Sequence, residues 1–287
     1  MTIDWPADLV ENIARRRCVV FLGSGISNNS VGQNGQRPPT WQAFLDGALD
    51  HCGNSTTHIK KLIKAGDYLS ACDIIQERMG DDWTAYLRRR FVEPRYTPAT
   101  IHDNIFKLDT RIFITPNFDK IFDRHALEAS GGTIAIKSYC DADITEVAKG
   151  FGRYILKVHG DIDDPQNLIF TRKQYAFART RYTGAYRVLD SLLITQSFLF
   201  IGCGLNDPDL TLLLEDYRFL HNYAAGHYIV LPRKVHADWK KLLKESRNLK
   251  VLEYDKKDNH ALLDQSLSDL AARAEIRRSE IARNMDW

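Results

Sequence analysis

Apolar residues in this chain fall into two patterns. Some form short uninterrupted runs; elsewhere they recur three and four positions apart over longer stretches. The uninterrupted runs are Cys18-Val19-Val20-Phe21-Leu22, Ile112-Phe113-Ile114, Tyr154-Ile155-Leu156, Ser197-Phe198-Leu199-Phe200-Ile201, Tyr228-Ile229-Val230-Leu231 and Lys250-Val251-Leu252-Glu253-Tyr254. A short run with no polar alternation is what a strand covered on both faces requires. These runs predict strands at 18–22, 111–115, 153–158, 197–201, 228–231 and 250–254, with a shorter one at 133–137 and an edge piece at Leu168-Ile169-Phe170. Helical spacing predicts helices at 8–17, 118–129, 172–179, 184–196 and 208–221, and a polar-faced helix over residues 258–283. Strands alternating with helices imply a parallel, doubly wound sheet, that is, a Rossmann-like α/β fold.

The rhythm breaks once. Residues 28–39 are polar and rich in Asn, Gly and Pro, which predicts a long loop. Segments near 40–51, 56–65, 67–79, 82–92 and 99–107 then show helical spacing with few β-branched runs. The gap between the first two strands is too long for a simple crossover helix. Residues 28–108 are therefore expected to be a loop and helical subdomain inserted in a single domain spanning 1–287, with 258–283 as a C-terminal helix.

Bulk properties narrow the partners. Of 287 residues, 44% are hydrophobic and 26% charged, which is ordinary for a globular chain. A net charge of +2 makes no case for nucleic acid. No apolar run approaches the roughly 18–20 residues of a membrane span, and Met1-Thr2-Ile3-Asp4-Trp5-Pro6 lacks a signal-peptide pattern. A cytoplasmic location is the expectation. The five cysteines, Cys18, Cys52, Cys72, Cys140 and Cys203, include no C-x-x-C pair. Neither a disulfide framework nor a cysteine-built zinc site is expected. Cys18 and Cys203 read as small buried residues.

The candidate chemistry sits just past the apolar runs, where open α/β sheets bind ligands. Gly23-Ser24-Gly25-Ile26-Ser27 follows the first strand; its glycines let backbone approach a phosphate, or simply make a tight turn. The full G-x-G-x-x-G pattern and the P-loop pattern are both absent. Asn117 and Asp119 follow the second strand; either can cap the next helix while the other faces a cleft. His159, before Gly160-Asp161, is a structural residue or a general base. Asp161, Asp163 and Asp164 match no calcium loop and read as a solvated turn. Gly202-Cys203-Gly204 repeats the strand–glycine arrangement, and Asp207-Pro208 has the form of a helix N-cap followed by proline.

In order, Gly23–Ser27, Pro38-Pro39-Thr40-Trp41, Thr115-Pro116-Asn117-Phe118-Asp119, Val158-His159-Gly160 and the glycine turn before Asn206-Asp207-Pro208-Asp209 resemble the sirtuin-like superfamily, in its bacterial anti-phage defence branch. The resemblance spans roughly residues 16–255. It implies that Gly23, Ser24, Gly25 and Ser27 line the pyrophosphate and ribose of NAD. Asn117 and Asp119 would hold the nicotinamide ribose and position the nucleophile. His159 would be the base, and Gly202, Gly204 and Asn206 would close the adenosine-ribose side. Protein-deacylating sirtuins carry a zinc ribbon of two C-x-x-C pairs; this chain has none, which puts deacylation in doubt and leaves no zinc expected. The implied activity is hydrolysis of NAD, as substrate, to nicotinamide and ADP-ribose in abortive defence. The implied assembly is a homo-oligomer working beside a HerA-type ATPase or a short Argonaute-type partner, without membrane or direct nucleic-acid binding. The alternatives are an NAD- or ADP-ribose-binding regulatory or scaffold module and an NAD-dependent protein deacylase. A dehydrogenase is disfavoured by the broken glycine pattern and the missing ribose-reading acid.

Overall fold

The computed structural model describes residues 2–53, 55–205, 207–221 and 224–285. It begins with α1 (Ala7–Ala14), β1 (Cys18–Leu22) and a single helical turn, α2 (Ser24–Ser27). Five helices follow: α3 (Trp41–Ala48), α4 (Thr57–Lys64), α5 (Tyr68–Met79), α6 (Asp82–Phe91) and α7 (Thr100–Phe106). The α/β rhythm resumes with β2 (Ile112–Thr115), α8 (Ile121–Ala129), β3 (Ala135–Ser138), a short α9 (Glu146–Lys149), β4 (Tyr154–Lys157), α10 (Arg172–Arg181), α11 (Thr183–Thr195) and β5 (Ser197–Ile201). It ends with α12 (Pro208–Leu220), β6 (His227–Pro232), α13 (Ala237–Arg247), β7 (Leu249–Tyr254) and α14 (Lys257–Asn284).

The seven strands form one sheet in the order β3-β4-β2-β1-β5-β6-β7, and every pairing is parallel. The expected doubly wound α/β architecture with a helical insertion is borne out. From β1 the chain builds one half of the sheet through β2, then crosses to β5 and builds the other. The strand order therefore reverses at β1, where a crevice opens at the carboxyl ends of its neighbours. Strand side chains alternate between faces. Cys18, Val20 and Leu22 pack with α1, α7, α8 and α14; Val19 and Phe21 pack toward α11, α12 and α13. Burial on both faces explains why β1 and β5 carry almost no polar residues.

A third core, built on Phe44, Leu45, Ile59, Ile75, Trp83 and Leu87, belongs to α3–α6. The helix α7 stands apart from it, because Ile101 and Ile105 pack on the sheet's first face. Leu168-Ile169-Phe170 is a buried loop and not the expected edge strand. Its amides bond elsewhere: Ile169 N–H to the His159 carbonyl (3.1 Å) and Phe170 N–H to Gln174 Oε1 (2.8 Å), the oxygen that also accepts the Thr171 N–H in the capping box of α10. The C-terminal helix becomes regular only after Asp258, Asn259 and His260, whose φ values are 51°, 52° and 66°. Helices α9 and α13 have no counterpart among the sequence expectations. No described helix is long and apolar enough to cross a membrane. Among the described residues no cluster of three or more His, Cys, Asp or Glu side chains is arranged to hold a metal ion.

Candidate functional site

Register brings the motifs together. Thr115 pairs with Lys157 across β2 and β4, so Asn117 and His159 each lie two residues past paired positions at adjoining strand ends. Leu22 pairs with Ile201 across β1 and β5, so Gly23 and Gly202 are likewise neighbours one residue on. Four strand ends thus meet around the reversal point.

The two glycine turns grip each other. Gly23 N–H donates to the Ile201 carbonyl (2.9 Å) and Gly25 N–H to the Gly202 carbonyl (3.0 Å). A Cβ on Gly23 would sit 2.3 Å from the Gly202 oxygen, and one on Gly25 would sit 2.9 Å from it. Gly202 itself holds φ +68°, a region that favours glycine. Close backbone packing thus accounts for Gly23, Gly25 and Gly202, and the Gly23 and Gly25 amides already have acceptors. Ser24 and Gly204 are exposed beside this junction. Asn206 lies outside the described residues. Burial pushes the Cys203 thiol far up, so it is no thiolate nucleophile.

Ser27, Asn117 and Asp119 form one hydrogen-bonded cluster between the ends of β1 and β2. The Asn117 amide donates to the Gly23 carbonyl (3.0 Å) and to Ser27 Oγ (3.1 Å), and Ser27 Oγ donates to Asp119 Oδ2 (2.8 Å). Asp119 Oδ1 accepts the Ile121 N–H (3.0 Å) at the start of α8. One Asp119 oxygen therefore fixes the turn into α8 and the other serves the cluster. Thr115 Oγ1 donates to the Leu22 carbonyl (2.7 Å) and accepts the Asn117 N–H (3.0 Å), fixing the turn. With both amide hydrogens turned into the protein, Asn117 has its carbonyl oxygen left to meet a ligand. Phe118, between the two polar residues, turns the other way, its ring centroid 4.7 Å from those of both Phe91 and Phe170.

His159 has a partner that sequence reasoning missed. Its Nε2 lies 3.0 Å from Asp207 Oδ2, and the Tyr175 hydroxyl donates to the same carboxylate oxygen (2.7 Å). The other Asp207 oxygen caps α12 by accepting the Leu210 N–H (2.8 Å). Capping was legible from Asp207-Pro208; the second use was not, because it depends on which strand end lies opposite. Burial raises the Asp207 pKa, but the His159 charge and hydrogen bonds from His159, Leu210 and Tyr175 outweigh it and bring the group down to about 2. An ionised carboxylate here holds the ring proton on Nε2 and leaves Nδ1 as the basic nitrogen. Burial and the neighbouring Asp207 push the Tyr175 hydroxyl far up, so it stays a donor.

Beside the dyad, a cleft of about 560 Å³, counting space open to solvent, runs between the sheet and α11–α12 past Phe21, Val158, Leu189, Leu193 and Phe198. Asp209 stands at its wall; burial raises its pKa, while hydrogen bonds from Tyr186 and Arg179 oppose the rise.

A family model described as a SIR2-like domain matches residues 111–252. The chain is 28% identical over 143 residues to an NAD(+) hydrolase ThsA of Acinetobacter baumannii (strain 532279), covering 50% of this chain and 29% of that protein. It is 28% identical over 243 residues to an NAD(+) hydrolase ThsA of Enterococcus faecium, covering 82% and 46%. It is 24% identical over 216 residues to a defense-associated sirtuin 2 of Bacillus subtilis, covering 74% and 20%. The chain spans less than half the length of these curated relatives. The sirtuin-like resemblance is borne out.

Proposed function

For a chain whose residues 111–252 match a SIR2-like domain, we propose hydrolysis of NAD to nicotinamide and ADP-ribose, as an effector of anti-phage defence. The observation that supports the proposal is the placement, at adjoining strand ends beside the strand-order reversal, of the Ser27–Asn117–Asp119 cluster and the Asp207–His159 dyad. Two relatives named NAD(+) hydrolases support it.

In this reading, breaking the nicotinamide–ribose bond develops positive charge on the ribose, and the Asp119 carboxylate offsets it. The Asn117 carbonyl oxygen orients the attacking water. His159 Nδ1 takes the water proton as the new C–O bond forms and nicotinamide leaves with its bonding pair. Asp207 stabilises the imidazolium that results. Ser27 positions Asn117 and Asp119; Ser24 and Gly204 line the path of the pyrophosphate and adenosine. The protein acts in the cytoplasm as a homo-oligomer beside a HerA-type ATPase or a short Argonaute-type partner, using the insertion and the outer face of α14. Light scattering with and without the partner tests that assembly.

The deciding experiment is hydrolysis of a fluorogenic NAD analogue by wild type, Asn117→Ala and His159→Ala, each alone and with an ATPase partner. Turnover by wild type, reduced about 100-fold or more by either substitution, is expected from loss of a positioned base or water. NAD binding without turnover in any condition would replace the hydrolase with a binding module.

A further inference from the structure

We propose that Lys157 is a positioning residue of this site: its buried ammonium holds the Asn117–Asp119 loop and the His159–Asp161 loop in register. The activity readout rests on the hydrolase reading; the structural readout does not.

Lys157 ends β4, and its side chain is 0% exposed. Its Nζ meets four oxygens: the Asp119 carbonyl (2.7 Å), Asp123 Oδ2 (2.7 Å), Asp161 Oδ2 (3.1 Å) and the Phe118 carbonyl (3.2 Å). An ion pair with Asp123 on α8 would need only one of them. The two carbonyls belong to the loop that presents Asn117 and Asp119, and Asp161 follows His159 by two residues. One cation therefore grips both loops from beneath. A hydroxyl or amide cannot do this, because three donors pointing at two carbonyls and two carboxylates call for an ammonium. The Phe118 carbonyl also accepts the Ile162 N–H (3.0 Å), a second tie between the same loops. Lys120 shares Asp161 (2.9 Å) and pairs with Asp163 (3.1 Å), so Asp161 is held from two sides. Buried ion pairs are weak sources of stability and are better explained by the arrangement they enforce. Here that arrangement is the spacing of Asn117 from His159.

The test separates positioning from charge pairing. Asp123→Asn removes the ion pair but keeps the ammonium on both loops. Lys157→Met with Asp123→Asn removes the ammonium as well and leaves Asp123 uncharged. Relative to Asp123→Asn, the double variant should lose about 100-fold in kcat on NAD, the scale of a misplaced group, with KM changed less than about threefold. Hydrogen exchange should accelerate about tenfold or more at residues 117–121 and 160–162, with the amides of β1 and β5 unchanged. Equal kcat and equal exchange in the two variants would overturn the proposal. If wild type does not turn over NAD, the hydrolase reading fails and exchange alone decides on Lys157. If the double variant does not fold, Asp161→Asn serves instead, since Lys120 keeps Asp163. Faster exchange confined to residues 160–162 supports the proposal, and exchange identical to wild type overturns it.

Discussion

Replacing Asp207 with Asn tests the dyad most directly, because it deletes a charge while keeping the shape. The Asn carbonyl can still cap α12 at the Leu210 N–H, now 2.8 Å from Oδ1. What is lost is the negative charge 3.0 Å from His159 Nε2 and its bond from Tyr175. The Asp207 pKa stands at about 2 against an ordinary 3.8. That gap of nearly two units, at about 1.4 kcal/mol each, is worth about 2 kcal/mol of stability at neutral pH. A carboxyl whose pKa is depressed by folding contributes fully above its unfolded value and loses that contribution as pH falls toward its folded value. Urea unfolding should therefore find Asp207→Asn about 2 kcal/mol less stable than wild type at pH 7, with the difference shrinking as pH falls from about 5 through about 2. NAD turnover should fall about 100-fold or more, because an amide no longer fixes the ring proton on Nε2 or stabilises the imidazolium. Equal stability at pH 7 together with wild-type turnover would refute the dyad.

Three further outcomes follow from the packing. Gly23→Ala drives a methyl to 2.3 Å from the Gly202 carbonyl oxygen; both partners are backbone, so thermal unfolding should register a loss of about 3 kcal/mol or more, and an unchanged Tm would contradict the close-packing account. Phe170→Ala empties a site that is 1% exposed and in ring contact with Trp41, Phe44, Trp83 and Phe118. Chemical denaturation should show about 3–5 kcal/mol lost, with weaker NAD turnover because Phe118 loses its support. Burial brings His227 down to about 4 from an ordinary 6.5, so the fold favours the neutral ring. Its stability contribution is present above about pH 6.5 and lost as pH falls toward 4, and His227→Gln should flatten the stability profile across that window.

The sheet was legible because strands buried on both faces admit almost no polar residue, so β1, β2, β4 and β5 announce themselves as apolar runs. The location of Asn117, Asp119 and His159 at strand ends was legible for the same reason. Contacts that depend on the neighbouring strand end were not. Asp207 satisfies a local capping rule with one oxygen, and nothing local marks the other oxygen as the partner of His159. Lys157 reads as the polar end of a strand, and only the parallel pairing of β4 with β2 turns its ammonium under the Asn117 loop. Leu168–Phe170 misled because an apolar triplet looks the same in a strand and in a buried loop whose amides bond to a carbonyl and a capping glutamine. The glycines carried two readings in the sequence, and the 2.3 Å approach of Gly23 to Gly202 makes close packing a sufficient reason for them.

The alternation in Asn117-Phe118-Asp119 joins the insertion to the site. The polar side chains on either side of Phe118 bond to Ser27 and the Gly23 carbonyl, while the Phe118 ring enters the aromatic cluster of Phe91 on α6 and Phe170. Phe170 in turn meets Trp41 and Phe44 on α3 and Trp83 on α6. A shift of α6 against the sheet must either open a void at Phe118 or carry its loop along. Close-packed interiors tolerate voids poorly, so the loop follows and carries Asn117 and Asp119 with it. The helical insertion therefore packs directly against the loop that presents Asn117 and Asp119, and the position of that loop depends on how α3 and α6 sit.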